Sequence, residues 1–554
     1  MTARGPVKPI LLLALLFVAC GSIDSCAPLE ADLILVDGRV FTADPALPWA
    51  EAIAIRGDRI VEVGAGAPML ARAAPSARVL SLGGRLVVPG INDAHTHLDP
   101  RPAGLRLEGL SADPTWPEVL AGISSATSRA SADGWIYGTI GASALDDPSV
   151  DRAAVDALAA RQAVLLTCWS GHGVIANTEA LRRLGIGEHE ADPPGGFYLR
   201  RTGDMTLTGV AHEYAGFRLG LGSRATPDET IAAVRAFDEE ARKLGITTLQ
   251  MMTVGAWTKD PERVLEQSGA RVRWRFIDFT LVPPADWAPD SALKERRDDA
   301  LVYRSGTKWV LDGTPVERLM WVKEPFTDRP DARGRMNFPP DSLRPLFAKA
   351  LAVHEPLLLH AVGDATIDAV FDALDATGGP AAWRAERVRL EHGDMLTPDR
   401  FERARALGVV VVQNPSHFMI REIMQTRLGD ARMSRSQAVK SMLASGVPLA
   451  LGSDGPRSPW LNLLFATTHE NNPAEALSRE AVLIAYTRGS AFAEFTDASK
   501  GMLRAGMLAD LAVLSQDVLT VPAADLPATT SVLTLVGGQI VHDDGLVQPP
   551  EQGR

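Results

Sequence analysis

Short apolar runs recur along the middle of the chain, and helical patterns such as Asp364–Leu374 and Pro398–Leu407 follow them. This alternation predicts βα units and a parallel sheet. The candidate strands are Leu86–His95, Thr247–Met251, Val272–Phe276, Thr307–Leu311, Pro356–His360, Val388–His392, Val409–Gln413 and Pro448–Gly452. Eight βα units are what a TIM barrel requires, so the pattern predicts an α/β fold built on a TIM (β/α)8 barrel.

The segment between the first two predicted strands is too long to be a single connection. It runs from about residue 104 to residue 245, and we interpret it as a long insertion after barrel strand 1. Within it, the apolar run Ala163–Thr167 predicts a further strand.

Both ends of the chain carry short β-type runs separated by turn residues. Ala31–Val40, with its Asp37-Gly38 turn, predicts one β-hairpin. The remaining runs are Ala52–Ile55, Arg59–Val63, Ala509–Leu514, Val532–Val536 and Gln539–His542. Because chain termini often lie close together, we expect residues 31–88 and 505–548 to form one small composite β-sandwich domain, with the barrel spanning 89–504.

Residues 1–20 have the pattern of an export signal. A positive flank precedes the apolar run Ile10–Ala19, which is shorter than the roughly 20 residues that span a bilayer. Phe17-Val18-Ala19-Cys20 resembles a bacterial lipobox, although Phe17 stands where Leu is usual. The pattern predicts an exported lipoprotein anchored through Cys20 on the periplasmic or extracellular side. Ordinary cleavage near the same place is the alternative.

Length and charge narrow the function classes. A chain of 554 residues exceeds the roughly 250–300 at which one core stops growing, so two or three units are expected. The net charge of −12 argues against a nucleic-acid surface, which is normally basic. A small-molecule substrate fits, membrane contact is expected only through the anchor, and a homodimer is left open.

Cys26 and Cys168 do not imply a disulfide framework, and Cys168 lies in a core-like apolar run.

The strongest chemical signal is the pair His95 and His97 at the end of the first predicted barrel strand. Residues at i and i+2 of a strand point to the same face, so both imidazoles can reach one metal ion. A bare His-x-His is weak by itself. Its place at the end of a barrel strand, where TIM-barrel active sites lie, makes it a metal-site candidate.

Three later predicted strands also end in ligand-type residues, which are His360, His392 and Asp454. An isolated histidine at a strand end is more often structural. Three strands that deliver His, His and Asp to the same rim as His-x-His favour a metal site. Imidazole and carboxylate ligands suit zinc and similar divalent metals.

These residues resemble the amidohydrolase superfamily, nearly from end to end. The matching phrases are Val88–His97, Leu358–Asp364, Leu390–His392, Gly452–Asp454 and Gly506–Leu514. Within the superfamily the chain is similar to the amidohydrolase-3 group, which also carries a long insertion after the first strand. Phrases of that insertion match at Gly134–Ile136, Gly171–Asn177, Pro194–Gly196 and Thr208–Glu213.

The resemblance implies a role for Lys308 on the fourth predicted strand. Binuclear members carry there a carboxylated lysine that bridges two metals, and a lysine in a water-poor site is neutral enough to react with carbon dioxide. A buried ion-paired lysine is the alternative, so one or two ions are both open. Gln250-Met251-Met252 stands where the group often has a His-Asp pair, which predicts a more apolar pocket floor.

The ligand set implies a mechanism in which water bound to the metal becomes the nucleophile. Asp454 is expected to accept its proton, and His172, His417 or His392 to stabilise the oxyanion. His212 and Glu213 are expected to line the pocket. The remaining histidines, His189, His354, His469 and His542, have no motif context and are interpreted as surface or structural residues.

The expected function is therefore hydrolysis of a C–N bond, as in an amide or cyclic imide, by a metal-activated water. A mononuclear deaminase or an esterase or lactonase on the same barrel remains an alternative. So does a non-catalytic exported binding lipoprotein. A serine hydrolase is disfavoured, because the chain has no G-x-S-x-G elbow.

Overall fold

The computed structural model describes residues 28–222, 225–253, 260–289 and 297–549. The predicted signal segment 1–20, Cys20 and Cys26 lie outside the described residues. Within the described ranges, no helix combines the length and the hydropathy that crossing a bilayer requires.

Strands and helices are numbered along the chain. The strands are β1 (Leu33–Val36), β2 (Arg39–Phe41), β3 (Trp49–Ala50), β4 (Ala52–Arg56), β5 (Arg59–Gly64), β6 (Arg78–Ser81), β7 (Leu86–Pro89), β8 (Ile91–Thr96), β9 (Gly104–Arg106), β10 (Trp135–Ile140), β11 (Ala163–Cys168), β12 (Gly173–Ala176), β13 (Gly196–Arg200), β14 (Leu207–Glu213), β15 (Ile246–Thr253), β16 (Arg273–Phe279), β17 (Val302–Val310), β18 (Leu357–Ala361), β19 (Arg389–His392), β20 (Val410–Gln413), β21 (Leu449–Leu451), β22 (Leu511–Leu514), β23 (Ser531–Val536) and β24 (Gln539–Asp543). The α-helices are α1 (Gly66–Ala71), α2 (Trp116–Thr127), α3 (Ala142–Leu145), α4 (Arg152–Leu158), α5 (Thr178–Arg183), α6 (Tyr214–Gly222), α7 (Pro227–Lys243), α8 (Pro261–Ser268), α9 (Leu343–Val353), α10 (Asp364–Ala376), α11 (Gly379–Trp383), α12 (Phe401–Leu407), α13 (Arg421–Met433), α14 (Val439–Ala444), α15 (Pro459–Thr468), α16 (Arg479–Ile484) and α17 (Ser490–Ala493).

The barrel consists of β8 and β15–β21, which pair in parallel in chain order. Its last strand meets its first where the backbone N–H of Asp454 donates to the carbonyl of His95 at 2.8 Å. Gly452 allows this approach, because a Cβ there would lie 2.4 Å from the Cβ of His95. The predicted TIM barrel is confirmed.

The first predicted strand, Leu86–His95, was wrong in one respect, since it is two strands. β7 belongs to a sheet of the terminal domain and β8 to the barrel. Gly90 separates them, and a Cβ there would lie 2.1 Å from Oγ1 of Thr247. The chain therefore passes from one sheet to the other at Gly90, where there is no space for a side chain.

The terminal domain is a sandwich of two sheets, one of order β5-β4-β1-β6 and one of order β24-β23-β22-β7-β2-β3. Leu35 and Ile53 from the first sheet share one buried core with Val513 and Leu533 from the second, so both chain ends contribute. The predicted runs near residues 52–63 and 532–542 form two antiparallel hairpins, β4–β5 and β23–β24. The predicted hairpin over Ala31–Val40 was wrong. β1 and β2 do not pair with each other but lie in different sheets.

The insertion builds a sheet of its own with the order β13-β14-β12-β11-β10-β9. The predicted strand Ala163–Thr167 is β11, and Cys168 at its end is buried in the core of the insertion, as expected. The loop that follows β11 carries Trp169 and His172, which both line the cavity at the barrel rim. The insertion therefore supplies one wall of that cavity.

Candidate metal centre

One cavity of about 230 Å³ collects the predicted ligands. Its lining includes all six of them: His95, His97, Lys308, His360, His392 and Asp454. They come from the end of β8 and the residue after it, from β17, β18 and β19, and from the turn after β21, so they converge from one end of the parallel strands. The sequence motifs, which are far apart along the chain, thus meet at one place.

His95 and His97 reach the cavity through an irregularity in β8. Asp93 pairs with Leu249 and Thr96 with Met251, so β8 carries one more residue than β15 over this stretch. Such a bulge re-aims side chains. The Nε2 atoms of His95 and His97 lie 3.1 Å apart. Burial lowers the pKa of His95 to about 4, which keeps its imidazole neutral and able to bind a metal.

Asp454 lies between two groups of histidines. Its Oδ1 is 3.4 Å from Nε2 of His97 and 3.8 Å from Nε2 of His95, and its Oδ2 is 3.4 Å from Nε2 of His417. Burial alone would raise its pKa, but these histidines hold the pKa of Asp454 well below 3.8. Its carboxylate is therefore ionised and shared by two sets of nitrogen donors.

The backbone at Asp454 is held in an uncommon conformation. Its φ is +52°, a value that non-glycine residues rarely adopt. Ser453, immediately before it, donates both its N–H and its hydroxyl to buried Asp93, at 2.8 and 2.6 Å. These bonds tie the turn after β21 to β8 and fix the direction of the Asp454 carboxylate.

His360 and His392 form the other side of the centre, with ring centroids 4.5 Å apart. Nε2 of His360 is 3.4 Å from the carbonyl oxygen of Gly313. Nδ1 of His392 is buried and has no hydrogen-bond partner among the described residues, and His392 has a φ of +69°. Burial lowers the pKa of both imidazoles well below 6.5. A buried, neutral imidazole with an unsatisfied nitrogen fits a metal ligand.

Lys308 is 2% exposed, and its Nζ contacts Sδ of Met252 at 3.4 Å. Burial lowers its pKa to about 8, with Glu391 and Asp454 acting in the opposite direction from a distance. None of the ion pairs within the described residues involves Lys308, so the ion-paired alternative is not what the structure shows. Met252 also lines the cavity and makes this part of the floor apolar, as expected from Gln250-Met251-Met252.

The donor set fits a divalent metal. The ligand atoms of His95, His97 and Asp454 lie within 4.8 Å of one another, and so do those of His392, His417 and Asp454. Imidazole nitrogens together with a carboxylate are the ligands of zinc-type sites. The second group contains His417 in place of His360. The sequence could not indicate His417 as a ligand, because it does not end a strand but lies in a short 3-10 turn after β20.

Glu391 is a functional candidate that the sequence reasoning did not single out. Its Oε2 accepts from Nδ1–H of His95 at 2.6 Å, and Arg389 donates from Nε to its Oε1 at 2.8 Å. Burial would raise its pKa, but Arg389 and His95 lower the pKa of Glu391 to about 2. Metal-binding histidines usually donate their other N–H to such a carboxylate. The signal in the sequence was its place beside His392.

His172 reaches the cavity from the insertion. Its ring centroid is 4.6 Å from that of His360, and its Nδ1 is 2.9 Å from Oε2 of Glu213. Asn337 donates to the same carboxylate oxygen at 3.0 Å. Burial would lower the pKa of His172, but Glu213 raises it above 6.5. His172 is therefore an oriented imidazole that faces the centre.

One expectation about the cavity lining was wrong, and the other histidines lie beside the cavity or away from it. Neither His212 nor Glu213 lines the cavity: His212 packs against Phe197, and Glu213 lies behind His172. His417 contacts Asp454 from a smaller adjoining cavity of about 20 Å³. The four histidines without motif context lie away from both cavities: His189, His354, His469 and His542.

The rest of the cavity wall was not predicted. It is lined by Arg101 from the segment after β8, Trp169 from the loop after β11, Phe217 from α6 and Phe279 at the end of β16. Trp169 also lines the smaller adjoining cavity, together with His417 and Asp454. No motif marks these four wall residues, because their positions depend on how the insertion folds over the barrel.

Comparison with known proteins identifies a family. The model of the amidohydrolase family (Amidohydro_3) matches residues 78–542. Among curated relatives, Protein LONG AFTER FAR-RED 3 of Arabidopsis thaliana is 27% identical over 93% of this chain and 92% of its own. The putative amidohydrolase YtcJ of Bacillus subtilis is 26% identical over 85% and 91%. The N-substituted formamide deformylase of Arthrobacter pascens is 26% identical over 92% and 98%.

Solved structures show the same fold. An uncharacterized metal-dependent hydrolase from Pyrococcus horikoshii superposes with a TM-score of 0.67 at 20% identity, covering 89% of this chain and 99% of its own. A second, from Pyrococcus furiosus, has a TM-score of 0.63 at 21% identity, covering 88% and 100%. An adenosine deaminase from Xanthomonas campestris with bound zinc has a TM-score of 0.52 at 16% identity, covering 95% and 96%.

Proposed function

This chain belongs to the amidohydrolase family, and from that premise we propose that it hydrolyses a C–N bond of a small molecule, such as an amide or a cyclic imide. The observation that carries the proposal is the convergence of His95, His97, His360, His392 and Asp454, with Lys308, on one cavity. The choice of a C–N bond is supported by the similarity to a formamide deformylase.

The metal is a divalent ion, and we propose zinc, in one or two copies, because nitrogen donors dominate the site. His95, His97, His360, His392 and Asp454, with Lys308, are the residues that would hold the metal. A divalent metal bound here activates water and polarises a carbonyl. Lys308 is proposed to be carboxylated, because its buried environment favours the neutral amine that reacts with carbon dioxide.

Two residues of the chain are proposed to act on the reacting groups, Asp454 as the base and His172 as a hydrogen-bond donor. Asp454, with Oδ2 held toward His417, accepts the proton of the attacking water. The water oxygen bonds to the carbonyl carbon, the C–N bond breaks, and the nitrogen leaves with that proton, giving an acid and an amine. His172, oriented by Glu213, donates a hydrogen bond to the oxygen that gains charge.

The alternatives have less support. A mononuclear deaminase leaves Lys308 without a function, although Lys308 lines the same cavity as the histidines. An esterase or lactonase uses the same water attack, so only a substrate panel separates it from an amidase. A non-catalytic binding lipoprotein would not require a complete ligand set, and here every predicted ligand lines the cavity.

The test is a hydrolysis screen of the purified full chain against matched amides, cyclic imides, esters and lactones. We expect C–N hydrolysis that dialysis against a chelator abolishes and that zinc restores. His354→Ala serves as a control, because His354 is exposed and distant from the cavity. Fully metallated protein that hydrolyses no amide or imide would contradict the proposal, and turnover of esters alone would move it to an esterase.

We also propose that the chain is exported and lipidated at Cys20. The support is the positive flank, the short apolar run and the lipobox-like sequence that ends at Cys20. Mass spectrometry of the protein from its host should show a lipid on an N-terminal Cys20. An unmodified N-terminus downstream of Cys20 would overturn this proposal and leave the enzymatic one untouched.

A further inference from the structure

Arg101 is the cationic side chain that the described lining of the cavity contains besides Lys308 and the histidines. It follows β8 and lies against the insertion, where Nη1 donates to Oγ1 of Thr167 at 3.3 Å and the guanidinium lies 5.7 Å from the ring centroid of Tyr137. None of the ion pairs among the described residues includes Arg101. Arg101 lines the cavity, and the bond to Thr167 is its one side-chain hydrogen bond within the described ranges.

Burial makes the environment of Arg101 costly for its positive charge. Burial lowers the pKa of Arg101, and Asp99, which lines the same cavity, acts in the opposite direction. A partly desolvated guanidinium gains most from a carboxylate, which can accept two parallel hydrogen bonds. An anionic group of the substrate would supply such a carboxylate.

The lining of the same cavity also contains apolar and aromatic side chains. Phe217 and Phe279 pack edge to face with centroids 5.2 Å apart, and Phe217 also lies 5.5 Å from the ring of His172. Val174 and Met252 also line the cavity, and Sδ of Met252 lies 3.4 Å from Nζ of Lys308. An apolar group of the substrate would bury itself here, beside the metal centre.

We propose that the substrate is an amide that also carries a carboxylate, an N-acylated amino acid with an apolar side chain being the simplest member. The scissile amide lies at the histidines and Asp454, the apolar group lies on Phe217 and Phe279, and the carboxylate binds Arg101. This inference rests on the proposed hydrolysis of a C–N bond and adds the class of its substrate. The alternative is a cationic substrate held by Asp99.

The test measures binding to the metal-free full chain by calorimetry, so that it does not depend on turnover. The probes are N-acetylphenylalanine in both enantiomers and N-acetyl-2-phenylethylamine, which lacks only the carboxylate. We expect one enantiomer of the acid to bind roughly 10-fold or more tightly than the neutral amide, as for hydrogen bonds to a charged group. Arg101→Met should bring this ratio close to one, and Arg101→Lys should restore part of it.

Arg106→Met is the matched control, because Arg106 lies nearby on β9 but is exposed and outside the cavity. It should keep the wild-type ratio. Equal binding of acid and neutral amide, no binding of either, or the same loss in Arg106→Met would each overturn the inference. Turnover of the metal-loaded enzyme separates it from the proposed function. If the enzyme cleaves neutral amides as well as it cleaves the acids, the proposed hydrolase activity holds and the proposed specificity fails. If binding depends on Arg101 but no amide is cleaved, the specificity holds and the hydrolase activity fails.

Discussion

His95 and Glu391 are joined by a hydrogen bond of 2.6 Å, and both side chains are buried from solvent. Because the carboxylate accepts at Nδ1, the imidazole is fixed with Nε2 directed toward His97 and Asp454. Arg389 holds the other side of the carboxylate, and it also bonds the side chain of Gln250 deeper in the barrel. The direction of the first predicted ligand is thus set by residues that form no part of the metal-binding motif.

Glu391→Gln keeps the shape of the side chain and removes the charge that holds the His95 tautomer. We expect zinc affinity or kcat to fall roughly 10–100-fold, as for other partners of metal-binding histidines. Competition with a chromophoric chelator measures the affinity, and circular dichroism checks the fold. Glu386→Gln is the control, because Glu386 pairs with Nδ1 of exposed His354 at 2.9 Å. Unchanged zinc affinity and turnover in a folded Glu391→Gln protein would show that Glu391 has no such role.

The sequence allows the metal-ligand candidates at the barrel rim to be predicted, but not the residues that hold those ligands in place. His95, His360 and His392 were recognisable because each is a ligand-type residue at the end of a predicted strand, and parallel strands of a barrel end at one rim. Glu391 follows the apolar residue Leu390 and precedes a predicted ligand, so strand alternation alone would place it on the opposite side from His392. The positive φ of His392 breaks that alternation at the strand end, and a backbone angle of this kind is not encoded in any local pattern.

The errors in the fold have the same origin. The predicted strand Leu86–His95 is divided at Gly90, and this division follows from crowding against Thr247, a residue distant in sequence. The Asp37-Gly38 turn is typical of a hairpin, yet β1 and β2 lie inside different sheets, where β1 pairs with β4 and β6 and β2 pairs with β3 and β7. Local pattern gives element type reliably, while pairing is decided by the whole domain.

Lys308→Ala tests the number of metal ions. If carboxylated Lys308 bridges two ions, the variant should bind about one equivalent of zinc where the wild type binds two, and added acetate or propionate should restore part of the activity. Elemental analysis of both proteins gives the count. Lys349→Ala is a suitable control, because Lys349 is bonded to backbone carbonyls of Ala285 and Trp287 away from the cavity. Equal metal content in wild type and Lys308→Ala would rule out the bridge.

His172→Asn tests the residue that the insertion contributes. We expect kcat to fall roughly 10²–10⁴-fold while zinc content is retained, because His172 is proposed to act on the substrate and not on the metal. His212→Asn on the neighbouring strand β14 is the control, since His212 packs against Phe197 outside the cavity. A parallel loss of zinc in His172→Asn would instead show that its ring supports His360, which it contacts.

Glu494 at the base of the barrel predicts a pH dependence of stability. Its carboxylate contacts Arg275 at 2.7 Å and Lys500 at 2.9 Å. Burial would raise its pKa, but Lys500 and Arg275 lower the pKa of Glu494 from 4.5 to about 2. A carboxylate whose pKa is lower in the folded state stabilises the protein at pH values above its unfolded-state pKa. This stabilisation is lost as the pH falls toward the folded-state pKa.

Between about pH 6 and about pH 3, the wild type should therefore lose about 2 kcal/mol more unfolding free energy than Glu494→Gln, whose amide does not titrate. Chemical denaturation of the metal-free proteins at both pH values measures the difference. The comparison of pH slopes is independent of the overall destabilisation of the variant, in which Arg275 and Lys500 lose their partner. Equal pH slopes for the two proteins would mean that folding does not lower the pKa of Glu494.

Asp454→Asn separates catalysis from metal binding at the residue to which both are assigned. Asparagine keeps the size and one carbonyl oxygen, so the hydrogen bond of its N–H to His95 and the turn held by Ser453 should persist. The amide cannot accept a proton, and kcat should fall roughly 10²–10⁴-fold. Zinc content should fall much less, because His95, His97, His360 and His392 remain.

The alternative is that Asp454 only holds metal, in which case occupancy and kcat decline together. Measuring both on one preparation distinguishes these cases, and Asp99→Asn provides a matched substitution, because Asp99 lines the same cavity but belongs to neither group of clustered ligand atoms. Its zinc content should equal that of the wild type. Near-normal turnover in fully metallated Asp454→Asn would end the assignment of Asp454 as base and transfer it to His417, whose Nε2 lies 3.4 Å from the same carboxylate.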